Sequence, residues 1–193
     1  MSIEQHVNTA MTLEAFNRFV DLPENADRSF EYIAARAVEV SSNSYASKLA
    51  MWIATRIGVF LMNNDIGHLT GADGGYMVSG ERFMPNVAFV SYAKQDKMDT
   101  TGYNPLPPDL AIEVISNPKN KQELQDLERK IRGYLSAGTV VWMFDWSKEQ
   151  AHVHTSGQPA KLYTKADTIS GGDILPGFEL KLADVYRTPK PQN

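Results

Sequence analysis

The chain contains no cysteine. That excludes a disulfide framework, a thiolate nucleophile, a Cys-ligated zinc finger and a cysteine-held cluster. No apolar run reaches the ~18 residues a membrane-spanning helix requires. The opening MSIEQHVNTA has neither the basic start nor the apolar stretch of a secretory signal, so a cytoplasmic protein is expected. Basic charge is short as well: 19 Lys and Arg against 23 Asp and Glu give a net charge of −4 and a pI near 5.6, with no Lys/Arg block. The basic footprint by which most proteins gather nucleic-acid phosphate is missing from the composition. Phosphate chemistry would then lean on a metal ion, which reverses the local field of the carboxylates that hold it. The Gly71-Ala-Asp-Gly-Gly stretch lacks both the GxGxxG spacing and a following helix, and reads as a turn rather than a phosphate loop. Ser116 has no His and Asp in an order that supports a hydrolase triad.

What remains is a chain of 193 residues with an ordinary hydrophobic fraction of 42%, enough for one domain with a real core. No repeat or linker divides it. The expected organisation is a single domain over 1–193, with a core of about 11–186 and a frayed tail from 187 to 193. Thr12 can cap a short helix with Leu13, Phe16, Phe19 and Val20 on one side. Two short strands follow, Phe30–Ile33 and Ala37–Val40. Ser44–Asn63 carries the longest helical stripe, through Ala46, Leu49, Ala50, Ile53, Ile57, Phe60 and Leu61. Strands are expected at His68–Thr70, Tyr76–Val78 and Phe83–Val90, the last with Pro85 near its start. Ser91–Pro107 is a polar loop long enough to suggest a role. Leu110–Ile115 is an apolar run, Lys121–Ala137 a helix closed by Gly138, and Thr139–Phe144 a buried strand. Strand, helix and strand with short connections predict a parallel pair. C-terminal β-hairpins (Ala151–Thr155, Lys161–Thr164, Thr168–Leu180) and a helical turn at Leu182–Tyr186 complete the pattern.

One residue interrupts the best strand. Glu113 lies in the middle of LAIEVI, where burial of an unpaired carboxylate is costly unless a metal, a cation or a catalytic task compensates. The alternative is a strand with Glu113 on its wet face. Lys130 borders the apolar face formed by Leu124, Leu127, Ile131, Tyr134 and Leu135 on the following helix. From there its ammonium can reach toward Glu113 and stabilise charge on a phosphate, or it can simply pair with Asp126 one turn away. His152 and His154 share one strand face and could join a metal, with Asp145 or Asp167 as the nearest candidates for a third ligand; a structural role is the simpler reading. Trp52, Trp142 and Trp146 read as core or core-edge aromatics.

Several segments occur together in a recognisable order: FEYIAARAVEVS, FMPNVAFVS, PPDLAIEVISNP, the Asp126–Lys130–Tyr134–Gly138 spacing, VVWMFDW and GGDILPGFELKLADVY. They resemble the Uma-two family of the PD-(D/E)XK nuclease superfamily, from about Met11 to Tyr186. The resemblance implies an α/β (α+β) restriction-endonuclease-like core, a mixed central sheet flanked by helices. It also implies Mg²⁺ or Mn²⁺ on carboxylates, DNA as substrate and a homodimer. By position it assigns Glu113 as the central acid, Glu31 as the early glutamate, Asn86 as a metal ligand and Lys130 as the lysine relocated from position 115, now Ile115. Three positions depart from that pattern. Pro85-Asn86-Val87 has an amide where an aspartate is expected, Ile33-Ala34-Ala35-Arg36 loses a turn glycine and an acid, and no histidine follows Ser41. Two functions follow: a metal-dependent DNA endonuclease of impaired activity, or a catalytically silent binding module on the same fold.

Overall fold

A computed structural model describes residues 10–40 and 42–187. Ser41 and the tail beyond Arg187 lie outside the described residues. Helix α1 (Leu13–Val20) starts where the Thr12 hydroxyl accepts the Ala15 N–H, and it buries Phe16 and Phe19. Strands β1 (Phe30–Ile33) and β2 (Arg36–Glu39) form an antiparallel hairpin joined by two residues. Both of these, Ala34 and Ala35, have positive φ (51° and 56°). A two-residue hairpin with both φ positive favours Asn and Gly, so two alanines here carry local strain. Helix α2 (Ser44–Asn63) begins at Asn43, whose side chain accepts from the Tyr45 and Ala46 N–H groups.

Strands β3 (Gly67–Thr70), β4 (Tyr76–Val78), β5 (Glu81–Phe83), β6 (Val87–Ser91) and β7 (Leu110–Val114) follow. Phe83–Val90, read from the sequence as one strand, is two. β5 belongs to a four-stranded sheet ordered β2-β1-β5-β4, and β6 to a six-stranded sheet. The break falls at Met84-Pro85-Asn86. Pro85 has no N–H to give a ladder, the Met84 N–H goes to a side chain of β1, and Asn86 spends its carbonyl on the neighbouring strand. Helix α3 (Lys121–Ser136) is capped by Asn120 and stops before Gly138, at φ +81°.

The six-stranded sheet is completed by β8 (Val140–Asp145), β9 (Gln150–His154) and β10 (Lys161–Thr164), in the order β10-β9-β8-β7-β6-β3. β7 and β8 run parallel, as expected across the intervening helix, and the other pairings are antiparallel. The mixed sheet is as the family resemblance implied. The C-terminal segment adds the ribbon β11 (Thr168–Ser170) and β12 (Glu179–Lys181) and a turn of helix, α4 (Leu182–Val185).

One face of the six-stranded sheet packs against α2 and the C-terminal segment: Leu49, Ile53 and Ile57 meet Ile112, Trp142, Phe144, Leu180 and Leu182. The other face meets α3 and the small sheet through Ala88, Ala111, Val141, Leu127, Ile131, Tyr134, Tyr76 and Phe83. Trp142 is buried, Trp146 packs at the core edge, and Trp52 departs from its expected place, with 37% of its surface exposed. Arg187 lies 6.0 Å from its ring centroid. No described helix is long and apolar enough to cross a membrane.

Candidate active site

Alternation along β7 decides where Glu113 points. Leu110, Ile112 and Val114 face α2, so Ala111 and Glu113 face α3. Glu113 is 5% exposed; the wet-face alternative is excluded. Lys130 reaches it from the middle of α3, and Glu31 arrives from the centre of β1. The Lys130 ammonium lies 2.7 Å from Oε1 of Glu113 and 2.7 Å from Oε1 of Glu31, and all three residues are buried. The Met84 N–H donates to Glu31 Oε1 at 2.6 Å, and the Tyr134 hydroxyl donates to Glu113 Oε1 at 3.2 Å. The Phe83 ring lies 6.0 Å from the Lys130 ammonium.

The electrostatics follow from this packing. Burial pushes the Glu113 carboxyl up to about 7, with Lys130 opposing and Glu31 adding to the shift. Burial works against the Lys130 ammonium, yet the two carboxylates outweigh it and raise its pKa. Tyr134 is raised too, by burial and then by Glu113, and stays a hydrogen-bond donor. Two carboxyl groups thus close around a single fixed cation.

Asn86 lies in the same cleft, where its Oδ1 accepts the Val114 N–H at 2.7 Å. The cleft has a volume of about 260 Å³, and its lining includes Glu31, Glu113 and Lys130 together with Ser116, Asn120 and Glu123. Asp126 does not pair with Lys130. It binds Arg36 at 2.6 Å and Gln122 at 3.0 Å, because Lys130 turns inward to the two glutamates. All four residues singled out in the sequence, Glu31, Asn86, Glu113 and Lys130, thus meet in one cleft.

Sequence reasoning missed Tyr134 as a partner of Glu113, although its i, i+4 spacing from Lys130 carried the signal. It also missed Glu123, which accepts the backbone N–H groups of Ser116 and Asn117 and fixes the turn after β7. His152 and His154 do lie side by side, ring centroids 6.2 Å apart. Asp145 is committed to Ser147 and Lys148, and among the described residues no three His, Cys, Asp or Glu side chains converge as a metal cage.

The oxygen donors of the cleft can be tested against a hard dication. Mg²⁺ typically uses one or two carboxylates together with substrate phosphate and water. Glu31 and Glu113 converge on the same ammonium, and the Asn86 amide oxygen belongs to the same cleft. The donor set fits magnesium or manganese completed by a phosphate, and does not fit an all-protein cage.

A model of the family described as "Putative restriction endonuclease", Uma2, matches residues 16–183. The crystal structure of a "putative nuclease" from Anabaena variabilis aligns with a TM-score of 0.72 and 15% identity, covering 88% of this chain and 96% of that one. At that identity the likeness speaks for the fold alone, and the fold is restriction-endonuclease-like. No curated protein matches the chain. With nearly the whole core inside the family match, the chain belongs to the Uma2 family.

Proposed function

We propose that this cleft hydrolyses phosphodiester bonds of DNA with the help of Mg²⁺ or Mn²⁺. The observation that carries the reading is the buried Glu31–Lys130–Glu113 cluster on the wall of an open cleft. Such burial of three charges is expensive, and functional sites are where it is retained. Glu31 and Glu113 would hold the cation, with the Asn86 carbonyl oxygen as a weaker third ligand. When bound, the cation supplies Lewis-acid polarisation of the phosphate. Lys130 contributes a fixed positive charge where negative charge gathers on the phosphate, and Glu31 orients the attacking water. Tyr134 and the Met84 N–H hold the two carboxylates in position. A homodimer would cut both strands through two symmetry-related clefts, and the chain would work in the cytoplasm.

A second reading draws on Asn86. Its amide removes one negative charge from the donor set, and its carbonyl already accepts the Val114 N–H. Both features favour a nuclease-fold protein that binds without cutting.

A plasmid-nicking assay across a Mg²⁺ and Mn²⁺ titration separates the two, with wild type, Glu113→Ala and Asn86→Asp compared. Nicking by wild type that disappears in Glu113→Ala supports hydrolysis and excludes the silent module. Absence of cation binding even in Asn86→Asp, measured by calorimetry, removes the metal site as described.

A further inference from the structure

The C-terminal ends of the parallel strands β7 and β8 meet the start of α2, and this edge carries more than the cleft. The Asn43 side chain donates to the Ser116 carbonyl at 2.6 Å, so the first turn of α2 is tied to the rim of the cleft. There the Tyr45 ring lies 5.2 Å from the Trp146 ring. Two turns further along α2 comes Trp52. Tyr45 is 39% and Trp52 37% exposed. Each ring has a cation over it, Lys48 at 4.9 Å from the Tyr45 centroid and Arg187 at 6.0 Å from that of Trp52.

Charge is distributed unevenly around this shelf. Asp145, Glu149 and Asp184 each have a cation partner, in Lys148, Lys165 and Arg56. Among the described residues, Lys48 and Arg187 have no carboxylate partner, nor have Lys119 and Lys121, exposed on the lip of the cleft beside Asn120. In a chain of net charge −4, two unpaired cations thus rest on exposed aromatic faces and two more lie beside Asn120 of the cleft.

We infer that Tyr45, Trp52, Lys48 and Arg187 form a shelf that docks single-stranded nucleic acid beside the cleft. Unpaired bases offer their faces to the rings, while their phosphates meet the cations that now lie over those rings. A duplex keeps its bases stacked inward and can use only the cations. Lys119 and Lys121 add cationic charge beside Asn120 of the cleft. The inference rests on reading the cleft as a nucleic-acid site, and it narrows the substrate to a strand that is single or locally opened.

The test is fluorescence anisotropy with a labelled oligothymidylate of ~15 nucleotides, within the span one binding groove tracks. A duplex of the same length serves for comparison, both in EDTA to suppress cleavage. The single strand is expected to bind more tightly than the duplex. Tyr45→Ala and Trp52→Ala should each weaken it about 10-fold, and Lys48→Glu should weaken it and flatten the salt dependence. Both aromatics are exposed, so circular dichroism should show the variants folded. Equal or tighter duplex binding, or unchanged affinity in both aromatic variants, would overturn the shelf. Oligothymidylate binding without plasmid nicking removes hydrolysis and leaves the shelf; nicking by wild type with unaltered affinity in both aromatic variants removes the shelf and leaves hydrolysis.

Discussion

The two faces of strand β7 solve different problems with the same five residues. On the α2 side, Leu110, Ile112 and Val114 disappear into a continuous apolar layer with Trp142 and Phe144. On the α3 side, Ala111 is equally buried, but the next residue on that face is Glu113, held by Lys130 and Tyr134. The apolar face gains stability from every atom it excludes from water. The charged face gives stability away, since burying a lysine against two carboxyl groups costs more than an apolar filling would. The backbone, strand length and burial are shared, so the difference lies in what each face is for: one holds the sheet, the other holds a chemical group in a fixed geometry at the edge of a cleft.

Substitutions can break this contrast. Lys130→Met should have the largest effect, a loss of about 4 kcal/mol in urea unfolding, because it leaves two carboxylates buried without their cation. Adding Glu31→Gln and Glu113→Gln should restore much of that loss. No recovery in the triple variant would show that Lys130 matters through packing rather than charge. Ile112→Ala, on the opposite face of the same strand, should cost about 3 kcal/mol through the cavity it opens, with no change in the pH dependence of stability.

Glu113 sharpens the comparison through pH. Its folded value of about 7 stands above the ordinary 4.5, so the folded state favours the protonated carboxyl. The stability it contributes is present in full below 4.5 and is lost as pH rises through 7. Glu113→Gln should therefore flatten the stability profile across that window, read from urea midpoints. A profile identical to wild type would show that the carboxyl is already ionised throughout it. If ionised Glu113 is required to hold the cation, nicking should rise over the same window. The smallest expected change is at the rim, where Ala35→Gly should stabilise by about 0.5–1 kcal/mol in thermal unfolding by relieving the positive φ.

Much of the fold was legible because its signals are local. The cap at Thr12, the stripe from Ala46 to Ile57 and the stop at Gly138 each depend on neighbours within a few residues, and the helices lie where those signals put them. Phe83–Val90 misled because its apolar pattern runs through Pro85, whereas the chain leaves one sheet and enters another there. Trp52 misled because a tryptophan side chain alone does not reveal whether another element covers it. The site residues were legible as a set only through their resemblance to a family. From the residues alone, Glu113 could have faced solvent and Lys130 could have paired with Asp126.

The sequence by itself determined most of the elements, the parallel pair β7 and β8, and the presence of an acid in the middle of an apolar strand. These follow from hydrophobic periodicity, capping and turn residues, which act over one or two helical turns. Only the tertiary structure decided that Glu31, 82 positions before Glu113, shares its lysine, that Arg36 takes Asp126 away from Lys130, and that Asn43 at the start of α2 meets Ser116 after β7. Those outcomes depend on how β1 and α3 pack across the sheet, and no local pattern encodes the distance between residues brought together by packing.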